Sequence, residues 1–285
     1  MLNNKALLVN LRISQWTARK LDKKATKAVQ DMHHAGRQSG NFNKVLLPMN
    51  ERLKRVHDKS AFIRHNWFYP NTLAWSVDGW QLLPTANYMG TITDWRKHKS
   101  EWYALVEDFL DHYVDDREVA KRELGDLYDE KDYPDLDQVR AKFMLDLTMM
   151  PVPTTDFRVE VSQAEHSRIA QEIEERVTHA GQEAMREVWQ RLYDRVEHIT
   201  DKLSDHTSIF RDSMIDNARE LCELLPRLNF MDDPNLEQMR QEVEAKLARN
   251  HPDSLRNDPT LRREKAAEAK DIMDRMAVFM GGIGK

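Results

Sequence analysis

The stretch from Ser162 to Leu225 limits what this chain can become more than any other. Apolar residues recur at Ile169, Ile173, Val177, Met185, Val188, Leu192, Val196, Ile199, Leu203, Phe210, Met214, Ala218 and Leu221, mostly in steps of three or four. That spacing puts them on one face of a helix. Ser162 followed by Glu165 forms a capping box that satisfies amide groups at the helix start, and Pro226 is expected to stop the element. At about 1.5 Å per residue the helix would run roughly 95 Å if straight. A stripe that long needs a cover. Two covers are open to it: the chain's own helices folding back as a helical hairpin, or a second copy in a coiled coil. In the second case Ile173, Val177, Val188, Leu192, Val196, Ile199 and Leu203 form the self-association seam.

Composition enters here because it agrees with the stripe. Charged residues make up 32% of the 285 and only 9 positions are Gly, which favours a mainly α chain over a β-rich one. No apolar run approaches the roughly 18 residues that cross a bilayer and no signal-peptide pattern opens the chain, so a cytoplasmic location is expected. Cys222 is the only cysteine, which excludes an internal disulfide and any Cys-built metal site. A buried, inert thiol is expected there.

The net charge of −5 is unevenly spread: residues 1–66 hold fourteen Lys and Arg against four acids, a balance of +10 that leaves −15 on the remaining 219. Such asymmetry fits an end that binds nucleic acid, and equally two halves, or two copies, that dock on each other. A helix capped by Thr17 and running to about Ala35 would turn Leu21, Ala25, Ala28 and Met32 inward and Arg19, Lys20, Lys23, Lys24 and Lys27 outward. A second, over about Met49 to His65, would turn Leu53, Val56 and Ile63 one way and Arg52, Arg55, Lys59 and Arg64 the other. With Trp67 and Tyr69 beyond it, this region offers cations for phosphates and rings for stacked bases, the combination that holds single strands. The same aromatics fit a hairpin core equally well.

Strands are expected early. Leu7, Val9, Leu11 and Ile13 alternate with Leu8, Asn10, Arg12 and Ser14, and Leu73, Trp75 and Val77 alternate before the Asp78-Gly79 turn, with Trp80 and Leu82 after it. The hairpin needs other strands to form a small mixed sheet, and residues 6–13 and Phe157, Val159 and Val161 are the candidates. Helix returns from Trp95, with Trp102, Leu105, Val106, Phe109, Leu110, Tyr113 and Val114 on its apolar face. Leu124 to Asp135 reads as turns, Leu136 to Leu147 as a helix, and Met149 to Pro153 as an extended linker. Asp233-Pro234 and Asp258-Pro259 each open a later helix. The expected organisation is an N-terminal α+β domain over 1–161, a long helical arm over 162–280 and a flexible tail over 281–285.

Glu107, Asp108, Asp111, His112, Asp115 and Asp116 sit at helical spacing, but the apolar residues among them claim the buried face, so these acids are expected in water and not on a metal. His33, His34, His57 and His65 lie among cations and lack zinc-site spacing. No Walker A, dinucleotide, HExxH or GxSxG pattern occurs, so no catalytic residue or cofactor is expected.

The stretches TLAWSVDGWQLLPTANY, LGDLYDEKDYPD and MMPVPTTDFRV, with the opening LLVNLRISQW, resemble a family of uncharacterised phage-encoded proteins. The likeness spans most of the chain and its motifs carry no known chemistry. It implies neighbours such as MoxR-type AAA+ ATPases and von Willebrand factor A proteins as partners. Together with the stripe, it points to a non-enzymatic, self-associating assembly or adaptor protein, with single-strand binding or annealing in phage DNA replication or recombination as the alternative.

Overall fold

The computed structural model describes residues 2–37, 39–75, 79–205 and 211–282. In chain order, a 3₁₀ turn at Leu2–Asn4 leads to β1 (Ala6–Ser14), β2 (Arg19–Leu21), α1 (Lys23–Met32), β3 (Asn43–Val45) and α2 (Glu51–Ala61). A π-helical stretch at Phe62–Phe68 and α3 (Tyr69–Asn71) precede β4 (Leu73–Ala74) and β5 (Trp80–Pro84). Next come α4 (Thr85–Asp111), α5 (Tyr113–Leu124), 3₁₀ turns at Gly125–Leu127 and Glu130–Asp132, α6 (Leu136–Arg140) and β6 (Met144–Pro151). The chain closes with α7 (Gln163–Ser204), α8 (Asp212–Leu228), α9 (Pro234–Val243), a π-helical stretch at Glu244–Ala248, α10 (Pro252–Asn257) and α11 (Pro259–Gly282). It is mainly α with a small sheet, as the stripe and composition predict.

The hairpin is present: β4 and β5 pair antiparallel with Leu73 opposite Leu82, and β5 pairs antiparallel with β1, Ala6 opposite Pro84 and Asn10 opposite Trp80. Gly79 takes φ +72, which its lack of a Cβ permits, while Val77 and Asp78 lie outside the described residues. The sheet order is β4-β5-β1-β6. Its fourth strand is therefore Met144–Pro151, and not Phe157 to Val161, which take no regular structure. The helix expected over Leu136 to Leu147 stops at Arg140, and the linker expected at Met149 begins inside β6.

Two compact units emerge, one of residues 1–10, 68–92 and 148–285, the other of 11–67 and 93–147. The chain thus passes between them at 10/11, 67/68, 92/93 and 147/148, where the sequence placed a single boundary.

In the first unit α7 is the spine. Val188, Leu192, Val196 and Ile199 expose nothing and Leu203 almost nothing, because α8, α9 and α11 cover them. α11 runs antiparallel to α7. Arg262, near its start, donates to the carbonyls of Lys202, Leu203 and Asp205 at 2.6, 3.0 and 2.7 Å, and Phe279, near its end, lies 5.7 Å from the Trp189 ring. The guanidinium thereby satisfies carbonyls that the end of α7 would leave orphaned. The hairpin expectation holds for this part, and these five residues do not form a seam for a second copy. Ile173 and Val177, further up α7, are half-buried.

The element is also not continuous to Leu225: Asp205 and Arg211 are extended, with Phe210 between them outside the described residues. Nor does Pro226 stop the helix; it lies inside α8, which ends at Leu228. Proline lacks the N–H that would bond the Cys222 carbonyl. Arg240 Nη1 donates to that carbonyl at 3.4 Å, so the proline is tolerated. The Cys222 thiol is buried, as expected, and burial pushes its pKa up to about 11. Ser162 caps α7 through the Glu165 amide, and Asp233 and Asp258 cap α9 and α11 as their Asp-Pro pairs predict.

In the second unit, Leu53, Val56 and Ile63 pack inward with Trp102, Val106, Phe109, Leu110 and Tyr113, all buried. Val114 is exposed, contrary to its place in the expected apolar face, because a break at His112 separates α4 from α5 and resets the helical phase. Ser60, buried on α2, accepts from Trp102 Nε1 at 2.7 Å and donates to Gln15 Oε1 at 2.7 Å. Among the described residues no helix is long and apolar enough to cross a membrane.

Candidate docking surface

The basic residues of the first third fall into two sets. On α2, Arg55 donates to Asp108 at 2.5 Å, Arg52 to Asp116 at 3.4 Å, and Lys59 to Glu101 at 2.5 Å. Asp108 and Asp116 were expected to face only water; Asp116 is instead largely covered beside Arg52, and Asp108 is paired with Arg55. Glu107 is taken by Arg140 in the same way. Trp67 is buried and stacked on Trp95, with centroids 5.9 Å apart, so it has no face to offer a base. Tyr69, in the other unit, is exposed. Arg64 is half-buried and has no ion-pair partner among the described residues.

The second set lies on a small module, β2–α1–β3, that differs from its sequence reading. Thr17 caps nothing; Arg19–Leu21 is a strand paired with Asn43–Val45, and Asp22 caps α1 by accepting from the Ala25 amide at 2.9 Å. The helix therefore starts later, and Leu21, Ala28 and Met32 are exposed while Ala25 is half-buried. None of the ten residues of α1 is buried.

What holds the module is polar. Lys44, at the centre of β3, is buried against Asp132 at 2.6 Å and Asp22 at 3.3 Å, and donates to the Leu127 carbonyl at 2.7 Å. Lys20 adds a second cation on Asp132 at 2.5 Å. Burial alone would lower the Lys44 pKa, but the bonds from Asp132 and Asp22 outweigh it and raise it. Burial likewise works to raise Asp132, and Lys20 and Lys44 carry it below the usual carboxylate range. The Ala25 amide, joined by Lys44, lowers Asp22 as well. Beyond α1, Gln30 Nε2 donates to the Arg37 and Gly40 carbonyls at 3.2 and 3.0 Å and Phe42 N–H donates to Thr26 Oγ1 at 3.0 Å, which folds the 33–42 loop against the helix.

Arg19, Lys23, Lys24 and Lys27 have no ion-pair partner among the described residues, and all four are exposed. Beside them stand exposed Leu21, Val29, Met32, Phe42, Val45 and Met49, the last 94% accessible. A cavity of 550 Å³ opens next to the Arg19–Val45 pair, lined also by Ala18, Leu47, Met49, Glu51, Lys54 and His57. Ala18 and Met49, both in its lining, take φ +48 and +53, a strained conformation for residues with a Cβ. Charge made the cations legible in the sequence. The apolar residues were missed because α1 was given an inward face that it does not have.

No known family model, curated protein or solved structure matches the chain.

Proposed function

We propose that this is a non-enzymatic, self-associating assembly or adaptor protein that docks a protein partner through the β2–α1–β3 module. One observation carries the reading: α1 is a basic helix that buries none of its residues, with its cations unneutralised while those of α2 are paired. Exposed Val29, Met32 and Phe42 beside Lys23, Lys24 and Lys27 suit an acidic, partly apolar protein surface. A phosphate backbone would use the cations and leave those side chains in water. The resemblance to phage-encoded proteins makes an AAA+ ATPase the first foreign partner to try.

Sedimentation at low and high salt tests the reading. The full chain is expected to associate at low salt and to dissociate as salt screens the contact, and replacing Arg19, Lys23, Lys24 and Lys27 by Glu should give a monomer at any salt. A wild-type chain that stays monomeric at low salt overturns it. So does a variant that associates unchanged while losing affinity for single-stranded DNA, which would make the module a nucleic-acid surface.

A further inference from the structure

The upper part of α7 is covered by loops and a 3₁₀ turn. α11 meets Trp189 through Phe279 and ends at Gly282, while Ile173 and Val177 stand roughly three to four turns further up α7. Over them close Leu2 and Asn3 of the 3₁₀ turn, Pro153 to Thr155 after β6, and Met231 between α8 and α9, and a cavity of 420 Å³ lies between these and α7. A Cβ on Gly181 would come within 3.0 Å of Met231 Cε and 3.6 Å of Leu2 Cδ2. That close approach accounts for a glycine inside a 42-residue helix, where it is otherwise destabilising. Asp232, next to Met231, pairs with Lys5 and so ties the α8–α9 loop to the residues of the 3₁₀ turn.

Leu2, Ile173, Val177 and Met231 give the cavity apolar walls, and its polar groups are short of donors. Asn3 Oδ1 is buried with no hydrogen-bond partner among the described residues, a costly state for a carbonyl oxygen. Glu174 is the one charged residue in the lining and has no ion-pair partner among the described residues. Its helical neighbours three and four residues away, Ala170, Gln171, Val177 and Thr178, include no cation. An anion would be repelled there, and a wholly apolar molecule would leave Asn3 unsatisfied.

We propose that this cavity binds a primary ammonium carried on an apolar stem, with the stem among Leu2, Ile173, Val177 and Met231 and the ammonium donating to Asn3 Oδ1 and Glu174. Its volume falls within the range of about 300–1,000 Å³ typical of small-ligand sites. A free alkylamine and the side chain of a lysine on another protein offer the same chemistry. Every lining residue belongs to the first unit, whereas the β2–α1–β3 module belongs to the second, so the proposal stands apart from the docking reading.

n-Hexylamine, n-hexanol and n-hexanoate share a stem and differ in charge, and titrating each into the full chain under amide NMR tests the site. Hexylamine should bind with a Kd on the order of millimolar and shift Asn3, Thr178 and Gln182 to saturation, hexanol should bind more weakly, and hexanoate should not bind. Glu174→Gln, at an exposed position of α7, should weaken hexylamine about two- to fivefold and leave hexanol unchanged. Thr178→Phe, also at an exposed position, fills the cavity and should abolish binding of both. A doubly blocked lysine with a free ε-ammonium separates the two sources: binding like that of hexylamine assigns a protein side chain, and binding of hexylamine alone assigns a free amine. Equal binding of hexylamine and hexanol, an unchanged affinity in Glu174→Gln, hexylamine binding that survives Thr178→Phe, or no saturable shift with either amine overturns the proposal.

Discussion

Helices α1 and α2 are neighbours in sequence, both rich in cations and both capped by a side chain, Asp22 or Asn50, yet they use their charge in opposite ways. α2 buries Leu53, Val56 and Ser60 and spends Arg52, Arg55 and Lys59 on acids of its own chain. α1 buries nothing and leaves Lys23, Lys24 and Lys27 exposed. Net charge per segment therefore says little about binding until the acids that return to it are known. The +10 of the first third shrinks once Asp108, Asp116, Glu101 and Asp132 are in place, with Arg19, Lys23, Lys24 and Lys27 on the module and Arg64 outside it left without an ion-pair partner among the described residues.

The contrast breaks most visibly under truncation. Leu53→Ala should cost about 2–5 kcal/mol by opening a cavity beneath α2, whereas Met32→Ala on α1, 72% exposed, should stay within about 0.5 kcal/mol. Urea midpoints of the two variants measure this, and similar losses would mean that α1 is also core. Next in size is Ser60→Ala, which leaves the buried Trp102 indole N–H without its acceptor and should cost about 1–3 kcal/mol in the same assay.

Acid should act more on α1 than on α2, because α2 loses only its surface pairs, such as Lys59 with the lowered Glu101, and keeps its apolar contacts. Asp22 and Asp132 titrate below their unfolded values, so the stability they supply is complete above the usual carboxylate range and is lost as pH falls through their lowered folded values. Below about pH 4, hydrogen exchange at β2, β3 and the first turn of α1 should quicken, while amides of α2 over its apolar contacts stay protected. Exchange that rises equally in both would place the anchor elsewhere. The smallest effect concerns the pairs themselves: Arg55→Ala, losing a solvent-reached contact to Asp108, should cost at most about 1 kcal/mol at low salt and nothing measurable at high salt. Lys27→Ala should cost nothing at either.

Local chemistry was legible where it is self-contained. Alternation and Gly79 placed the hairpin, and Asp-Pro pairs placed α9 and α11, because each signal acts within a few residues. Where two periods shared the same residues, tertiary pairing decided. Val139, Phe143 and Leu147 fit a helical step of four, while Phe143, Leu145 and Leu147 fit a strand step of two, and the place beside β1 selected the strand. The α7 stripe was legible as a buried face but not as to what buries it. The candidate surface was half legible: its cations stood out, but their partners lie far along the chain, as Lys44 and Asp132 do.

The lone cysteine has a use unrelated to its packing. An alkylating reagent attacks the thiolate, and burial both hides Cys222 and holds its pKa at about 11, so the folded bundle should be inert near neutral pH. Modification then requires α8 to open, and its rate under mild conditions reads the opening equilibrium directly. Because the chain holds no other thiol, the unaltered protein carries a single-site clock for how often its long-helix bundle breathes.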